Sequence, residues 1–285
     1  MDIKKIGIVG AGTMGSGIAF SLAKSGFVVY LFDTNQEYLN KAINKMISIA
    51  DKLFHKGKLS SEEVDGIISN IMVVETIDKF EEVDFVIEAI IEDLEAKQNL
   101  FLKLDDVCRK DVILTSNTSS MSITSLASVT KRPQKVAGMH FFNPAYIMNL
   151  VEVIRGLETS DNTVNTINQI VHKLGKESVE VKKDSPGFLV NRLLVPQVIE
   201  AIKLVEEGVA TPEDIDKAVK FGLNYPMGPF ELMDFTGIDI SFNVMNYFYS
   251  EFHEAQYAPP KLLKQMVTAN RLGKKTNIGW YDYRE

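Results

Sequence analysis

Of the four histidines in this chain, one stands where its ring could move a proton. His140 closes the apolar run KVAGMH and opens FFNPA, which puts it at the strand-end edge where open α/β sheets hold their ligands. An imidazole titrates near neutrality, with an unperturbed pKa of about 6.5, so it can take a proton from an alcohol and return it. Such a ring needs an orienting partner on its other nitrogen. Glu152 lies in LVEVI between Val151 and Val153, and a glutamate on an apolar strand is expensive to bury unless paired. A hairpin-like return around Asn143-Pro144 would set it beside His140; the competing reading turns Glu152 out to solvent. His55, His172 and His253 sit in a basic helix end, an amphipathic helix and a polar stretch, and read as surface or core-edge residues.

Two further polar groups could serve the same reaction. Asn117-Thr118-Ser119-Ser120 follows VILTS and offers hydroxyls and an amide at the same sheet edge, though such a loop could simply cap the next helix. Asn191 interrupts the apolar run FLVNRLLVP; it could donate to a substrate carbonyl, or be only a capping or surface residue.

The N-terminus carries a second constellation. Gly10-Ala11-Gly12-Thr13-Met14-Gly15 is a G-x-G-x-x-G loop between an apolar strand and a helix, and the following strand ends on Asp33. Glycines there let the backbone approach a pyrophosphate, the helix N-terminus supplies amide donors, and the acid can accept ribose hydroxyls. Asp33 would repel a 2′-phosphate and has no arginine next to it, so NAD is favoured over NADP.

Elements to position these residues can be read along the chain. Apolar runs at 6–9, 27–32, 85–88, 112–115 and 136–139 suit strands buried on both faces, and 14–24, 36–56 and 94–107 read as helices between them. Residues 150–154 and 178–181 read as further strands, with a helix at 161–174. Asp184-Ser185-Pro186-Gly187 breaks the pattern, and helices follow at 188–207, from Thr211-Pro212, at 238–252 and at 260–269. The expected fold class is therefore α/β: a Rossmann-like, doubly wound, mostly parallel sheet over 1–185, then an all-helical domain over 186–285.

Composition narrows the function classes. A net charge of -7 argues against a nucleic-acid partner. Cys108 is the single cysteine, so no internal disulfide forms, and no spacing suggests a metal. No run approaches the roughly 20 apolar residues of a membrane span, and no targeting segment is evident, so the expected location is cytoplasmic.

These segments together resemble the 3-hydroxyacyl-CoA dehydrogenases along essentially the whole chain. The resemblance is carried by GAGTMGSGIA, SNTSSMSIT, GMHFFNPA, LVEVIRG, DSPGFLVNRLL, PMGPFELMDFTGID and GKKTNIGWYDY. The bacterial, short-chain 3-hydroxybutyryl-CoA enzymes are similar in having neither a transit peptide nor a fused hydratase. The resemblance implies that His140 is the general acid/base and Glu152 its orienting acid, with Ser119 and Asn191 at the substrate's 3-oxygen. It implies NAD contacts from Gly10 to Gly15, Asp33, Glu92, Lys97, Asn117, Asn143 and Lys275. Lys52 and Lys56, in KLFHKGK, would reach the phosphates of an acyl-CoA, and the helical domain would form a homodimer. Tyr146, Asn277 and the pair Ile90-Ile91 depart from the usual pattern; Tyr146 is expected to bear on the acyl pocket. A dehydrogenase of free 3-hydroxy acids or sugar acids would have no use for Lys52 and Lys56. A catalytically idle NAD-binding protein would have no use for the set Ser119, His140, Glu152 and Asn191.

Overall fold

The computed structural model describes residues 3–284, which form two compact units parting after Phe188. The first unit alternates strands and helices: β1 (Lys5–Val9), α1 (Thr13–Lys24), β2 (Val28–Phe32), α2 (Gln36–His55), α3 (Ser61–Ser69), β3 (Ile71–Val73), β4 (Phe85–Glu88), α4 (Leu94–Val107), β5 (Ile113–Ser116), α5 (Ile123–Ala127), β6 (Val136–Phe141), β7 (Leu150–Arg155), α6 (Asp161–Lys173) and β8 (Glu177–Val181). The strands make one sheet in the order β3-β2-β1-β4-β5-β6-β7-β8. All neighbours are parallel except β6 and β7, which run antiparallel as the hairpin reading expects. The order reverses between β1 and β4, so the crevice for a ligand opens beyond Val9 and Glu88.

Sequence explains most of this unit. Central strands β4, β5 and β6 are buried at every residue, as continuous apolar runs require, and separate apolar clusters form with Ile8, Ile18 and Phe85, and with Val86, Phe101 and Leu104. Helix starts follow capping chemistry: Asn35 caps α2, Ser60 and Glu63 form a capping box on α3, and Asp93 caps α4. Two elements were not expected. Helix α3 has nine residues and edge strand β3 only three, too short to show an alternation.

The second unit is helical: α7 (Val190–Glu206), α8 (Pro212–Gly222), α9 (Pro229–Thr236), α10 (Ile238–Phe252) and α11 (Lys261–Thr268). Helix α7 starts at Val190, not at 188, because Phe188 has φ +52°, a left-handed conformation that cannot begin a right-handed helix. Thr211 caps α8 through the Asp214 amide, with Pro212 in the first turn, as its sequence predicts. Ile199, Ile202, Phe230, Met233, Ile238, Phe248 and Leu263 form the core of this unit.

Candidate active site

The glycine loop is built for close approach. Gly10 has φ +104°, and a Cβ there would lie 2.4 Å from the Ala89 carbonyl oxygen; one on Gly15 would lie 1.8 Å from the Gly10 oxygen. A Cβ on Gly12 would meet nothing within 4 Å, so the backbone is bare toward the outside. Gly12 also caps α1 without any side-chain acceptor, which leaves first-turn amides for an anion. Asp33 accepts the Ala11 amide at 2.7 Å and the Asn35 amide at 2.8 Å, fixing its carboxylate at the end of β2 beside the loop. A pyrophosphate and an adenosine ribose fit this cradle, with Thr13 and Met14 in the first turn of α1.

His140 and Glu152 face each other across the antiparallel pair β6–β7, in direct register. Nδ1 of His140 lies 2.7 Å from Oε2 of Glu152. Glu152 has no accessible surface and His140 only 6%. A buried carboxylate accepting the Nδ1–H fixes the ring and leaves Nε2 as the nitrogen for proton exchange. Phe142 and Phe188 flank the imidazole at centroid distances of 4.6 and 5.7 Å, so the ring sits in an apolar slot. The φ +52° of Phe188 thus belongs to a residue packed on the histidine.

Next to this pair, Asn117 follows β5 and its Oδ1 accepts the Phe141 amide at 2.9 Å, tying the two strand ends together. Glu92 gathers the loop after it. Its Oε1 accepts the Thr118 hydroxyl at 2.5 Å, the Ser119 amide at 3.0 Å and the Ser119 and Ser120 hydroxyls at 3.4 and 3.3 Å. Lys97 is buried, with its ammonium 2.6 Å from Glu88 and 3.2 Å from Glu92. Burial would raise the Glu92 carboxyl, but the Lys97 ammonium, the Thr118 hydroxyl and the Ser119 amide outweigh it and hold it below the ordinary range. Glu88 was missed on the sequence, although the reasoning that singles out Glu152 applies to it: an acid at the end of an apolar strand must find a partner.

The remaining expected residues stand on other elements. Asn143 is exposed in the loop after β6. Lys52 and Lys56, at the end of α2, are exposed and form no ion pair among the described residues. Asn191 and Lys275 belong to the second unit, Asn191 half-buried in the first turn of α7 and Lys275 with its ammonium 2.5 Å from Asp239. Tyr146 packs edge-on against Phe20 of α1 and joins the core, which gives its bulk an internal place. Asn277 has φ +57°, a left-handed position that asparagine tolerates nearly as glycine does. Ile90 packs on the core and Ile91 is exposed. Burial pushes the Cys108 thiol up to about 12, so it stays protonated and inert. No group of described residues could hold a metal ion, and no described helix is long and apolar enough to cross a membrane.

Comparison with known proteins agrees with this geometry. Residues 5–185 match the family model for the 3-hydroxyacyl-CoA dehydrogenase NAD binding domain, and residues 187–283 match that for its C-terminal domain. A Bacillus subtilis protein named "probable 3-hydroxybutyryl-CoA dehydrogenase" is 46% identical over 100% of this chain and 99% of its own. The 3-hydroxybutyryl-CoA dehydrogenase of Clostridioides difficile is 43% identical over 99% of this chain and 100% of its own. The crystal structure of (S)-3-hydroxybutyryl-CoA dehydrogenase from Ralstonia eutropha superposes with a TM-score of 0.96 at 42% identity, each chain covered in full. The chain belongs to the 3-hydroxyacyl-CoA dehydrogenase family and is an NAD-dependent oxidoreductase.

Proposed function

We propose that the chain interconverts (3S)-3-hydroxybutyryl-CoA and acetoacetyl-CoA, with His140 as general acid/base. The observation that carries this reading is the 2.7 Å contact of a buried glutamate with His140 at the ligand edge of the sheet. A bound nicotinamide would supply the hydride acceptor for C3 and, in the reverse direction, the hydride donor. The protein handles the proton and the charge. His140 Nε2 takes the hydroxyl proton as the alcohol is oxidised and returns it in the reverse direction. Glu152 balances the imidazolium that forms, in an apolar slot where that charge would otherwise be costly. Ser119, held by Glu92, donates to the 3-oxygen, and Asn191 is assigned to the same task by resemblance.

On this reading residues 1–185 bind NAD through Gly10 to Gly15, Asp33, Glu92, Lys97, Asn117 and Asn143, with Lys275 added from the helical domain. Residues 186–285 serve substrate binding and homodimerisation; Leu193 and Phe221, 78% and 85% exposed, are apolar groups that a second copy could cover. Lys52 and Lys56 bind the phosphates of the CoA moiety. The protein acts in the cytoplasm.

The test is NADH oxidation with acetoacetyl-CoA, run beside free acetoacetate and beside NADPH. Fast turnover of the thioester with NADH is expected, with His140→Ala slower by about 10³-fold. Turnover of the free acid alone would instead assign a hydroxy-acid dehydrogenase, and NADH binding without turnover a non-catalytic role.

A further inference from the structure

Glu88 ends β4 beside the reversal in strand order and has no accessible surface. A carboxylate there stays ionised only if its partners replace water. The Lys97 ammonium lies 2.6 Å from Oε1, the Ile90 amide donates to the same oxygen at 2.7 Å, and the Ser116 hydroxyl donates to Oε2 at 2.5 Å. Each of two arms then runs on to the same loop. Along one, Lys97 reaches Glu92 at 3.2 Å, and Glu92 accepts from Thr118 at 2.5 Å. Along the other, Ser116 Oγ accepts the Thr118 amide at 3.1 Å. The links close into a ring: Glu88, Ser116, Thr118, Glu92, Lys97 and back to Glu88. Ser119 hangs from it, its amide and hydroxyl both on Glu92 Oε1.

The members of this ring differ in how firmly they are held. Glu92 keeps 40% of its side chain exposed, whereas Glu88 and Lys97 are sealed at 0% and 1%. A half-exposed carboxylate gathering several hydroxyls has no fixed orientation of its own. It acquires one from a charge that cannot move, and the Lys97 ammonium is fixed because Glu88 is.

We propose that Glu88 is a positioning residue for the reaction: as the sealed anchor of the ring it orients Glu92, and thereby sets where Ser119 presents its hydroxyl to substrate. This rests on the reading of Ser119 as a substrate-binding residue. The ring is then a support for a reacting geometry, of the kind that loses rate when it is left loose.

A double-mutant cycle between Glu88→Gln and Ser119→Ala tests it, reading kcat for acetoacetyl-CoA reduction by NADH in the full chain, with circular dichroism as the check on folding. Glutamine keeps the shape and one of the two oxygens that accept from Ile90 and Ser116, turns the other into a donor, and removes the charge that fixes Lys97. The expected result is a loss of about tenfold in the otherwise unaltered chain and less than about twofold in the Ser119→Ala background, since independent sites combine additively. Equal losses in the two backgrounds, or no loss from Glu88→Gln, overturn the proposal while leaving Ser119 in place. Full activity of Ser119→Ala overturns the reading of Ser119 and the proposal with it. Should Glu88→Gln not fold, Glu88→Asp, which keeps the charge but shortens its reach to Lys97, takes its place in the same cycle with the same expected outcomes.

Discussion

Glu152 and Glu88 are carboxylates without accessible surface, on strands of one sheet, each with a basic nitrogen at hydrogen-bond distance. They differ in what the partner can do. The imidazole beside Glu152 has a ring nitrogen that can take up or give back a proton, whereas the lysine ammonium beside Glu88 is a donor only. On the function proposed above, Glu152 faces a ring that exchanges a proton during turnover, and Glu88 an ammonium that takes no part in the exchange. On that reading the first arrangement serves proton transfer and the second holds a shape. A third kind occurs in the helical unit, where buried Asp216 and Asp234 accept backbone amides and tyrosine hydroxyls. Burial, and then the neighbouring aspartates, raise both the Tyr281 and Tyr283 phenols, so these stay neutral donors across the working range. The task of a buried acid in this molecule follows from its partner rather than from its burial.

That distinction fails if Glu152 can be neutralised cheaply. Glu152→Gln keeps the side-chain volume but removes the charge opposite the imidazolium and allows the ring its wrong tautomer. We expect kcat to fall by about 10²- to 10³-fold, equivalent to about 3–4 kcal/mol at the barrier. Steady-state NADH oxidation beside a denaturant titration checks it; turnover near that of the parent chain would show that His140 does not depend on its buried partner.

Asp234→Ala should show the opposite signature, a loss of stability. Asp234 takes the amides of Trp280 and Tyr281, both at 2.9 Å, and the Tyr283 hydroxyl at 3.1 Å. Removing it leaves these donors without their acceptor and costs about 3 kcal/mol. Gly279 and Gly273 belong to the same joint, since a Cβ on either would lie within 2.4 Å of an Asp234 oxygen. The checking measurement is urea unfolding, with a lower midpoint and an unchanged slope expected. An unshifted midpoint would mean that this carboxylate does not hold the C-terminal segment.

Much of the fold was legible because its signals are local. The glycine loop, the apolar runs of β4 to β6, and the Thr211-Pro212 helix start each contain their own reason. The His140–Glu152 pair was legible because two problems, an unoriented imidazole and an unpaired acid on an apolar strand, had one solution in a hairpin. The ring around Glu88 was not, because its members come from β4, α4, β5 and the loop beyond, and only the sheet register puts Glu88 opposite Ser116. Phe188 was hidden for a different reason. Its backbone leaves the helical region so that its ring can pack on His140, and that tertiary demand overrides a sequence that reads as continuous helix.

Lysine offers the same comparison at its smallest expected effect. Lys97 is sealed between two carboxylates, while Lys52 and Lys56 stand exposed at the end of α2. Charges in water interact weakly, and salt with a Debye length of about 8 Å at physiological strength screens them further. If the exposed pair meets CoA phosphates, Lys52→Ala with Lys56→Ala should raise KM for acetoacetyl-CoA about fivefold at low ionic strength, leave kcat alone, and lose most of that difference in 0.5 M salt, where screening is stronger still. An effect on kcat would place the two lysines nearer the reacting centre than an exposed helix end allows. No change in KM at low salt would make them solvated surface charge, and the preference for a CoA thioester over a free acid would then need another source in the chain.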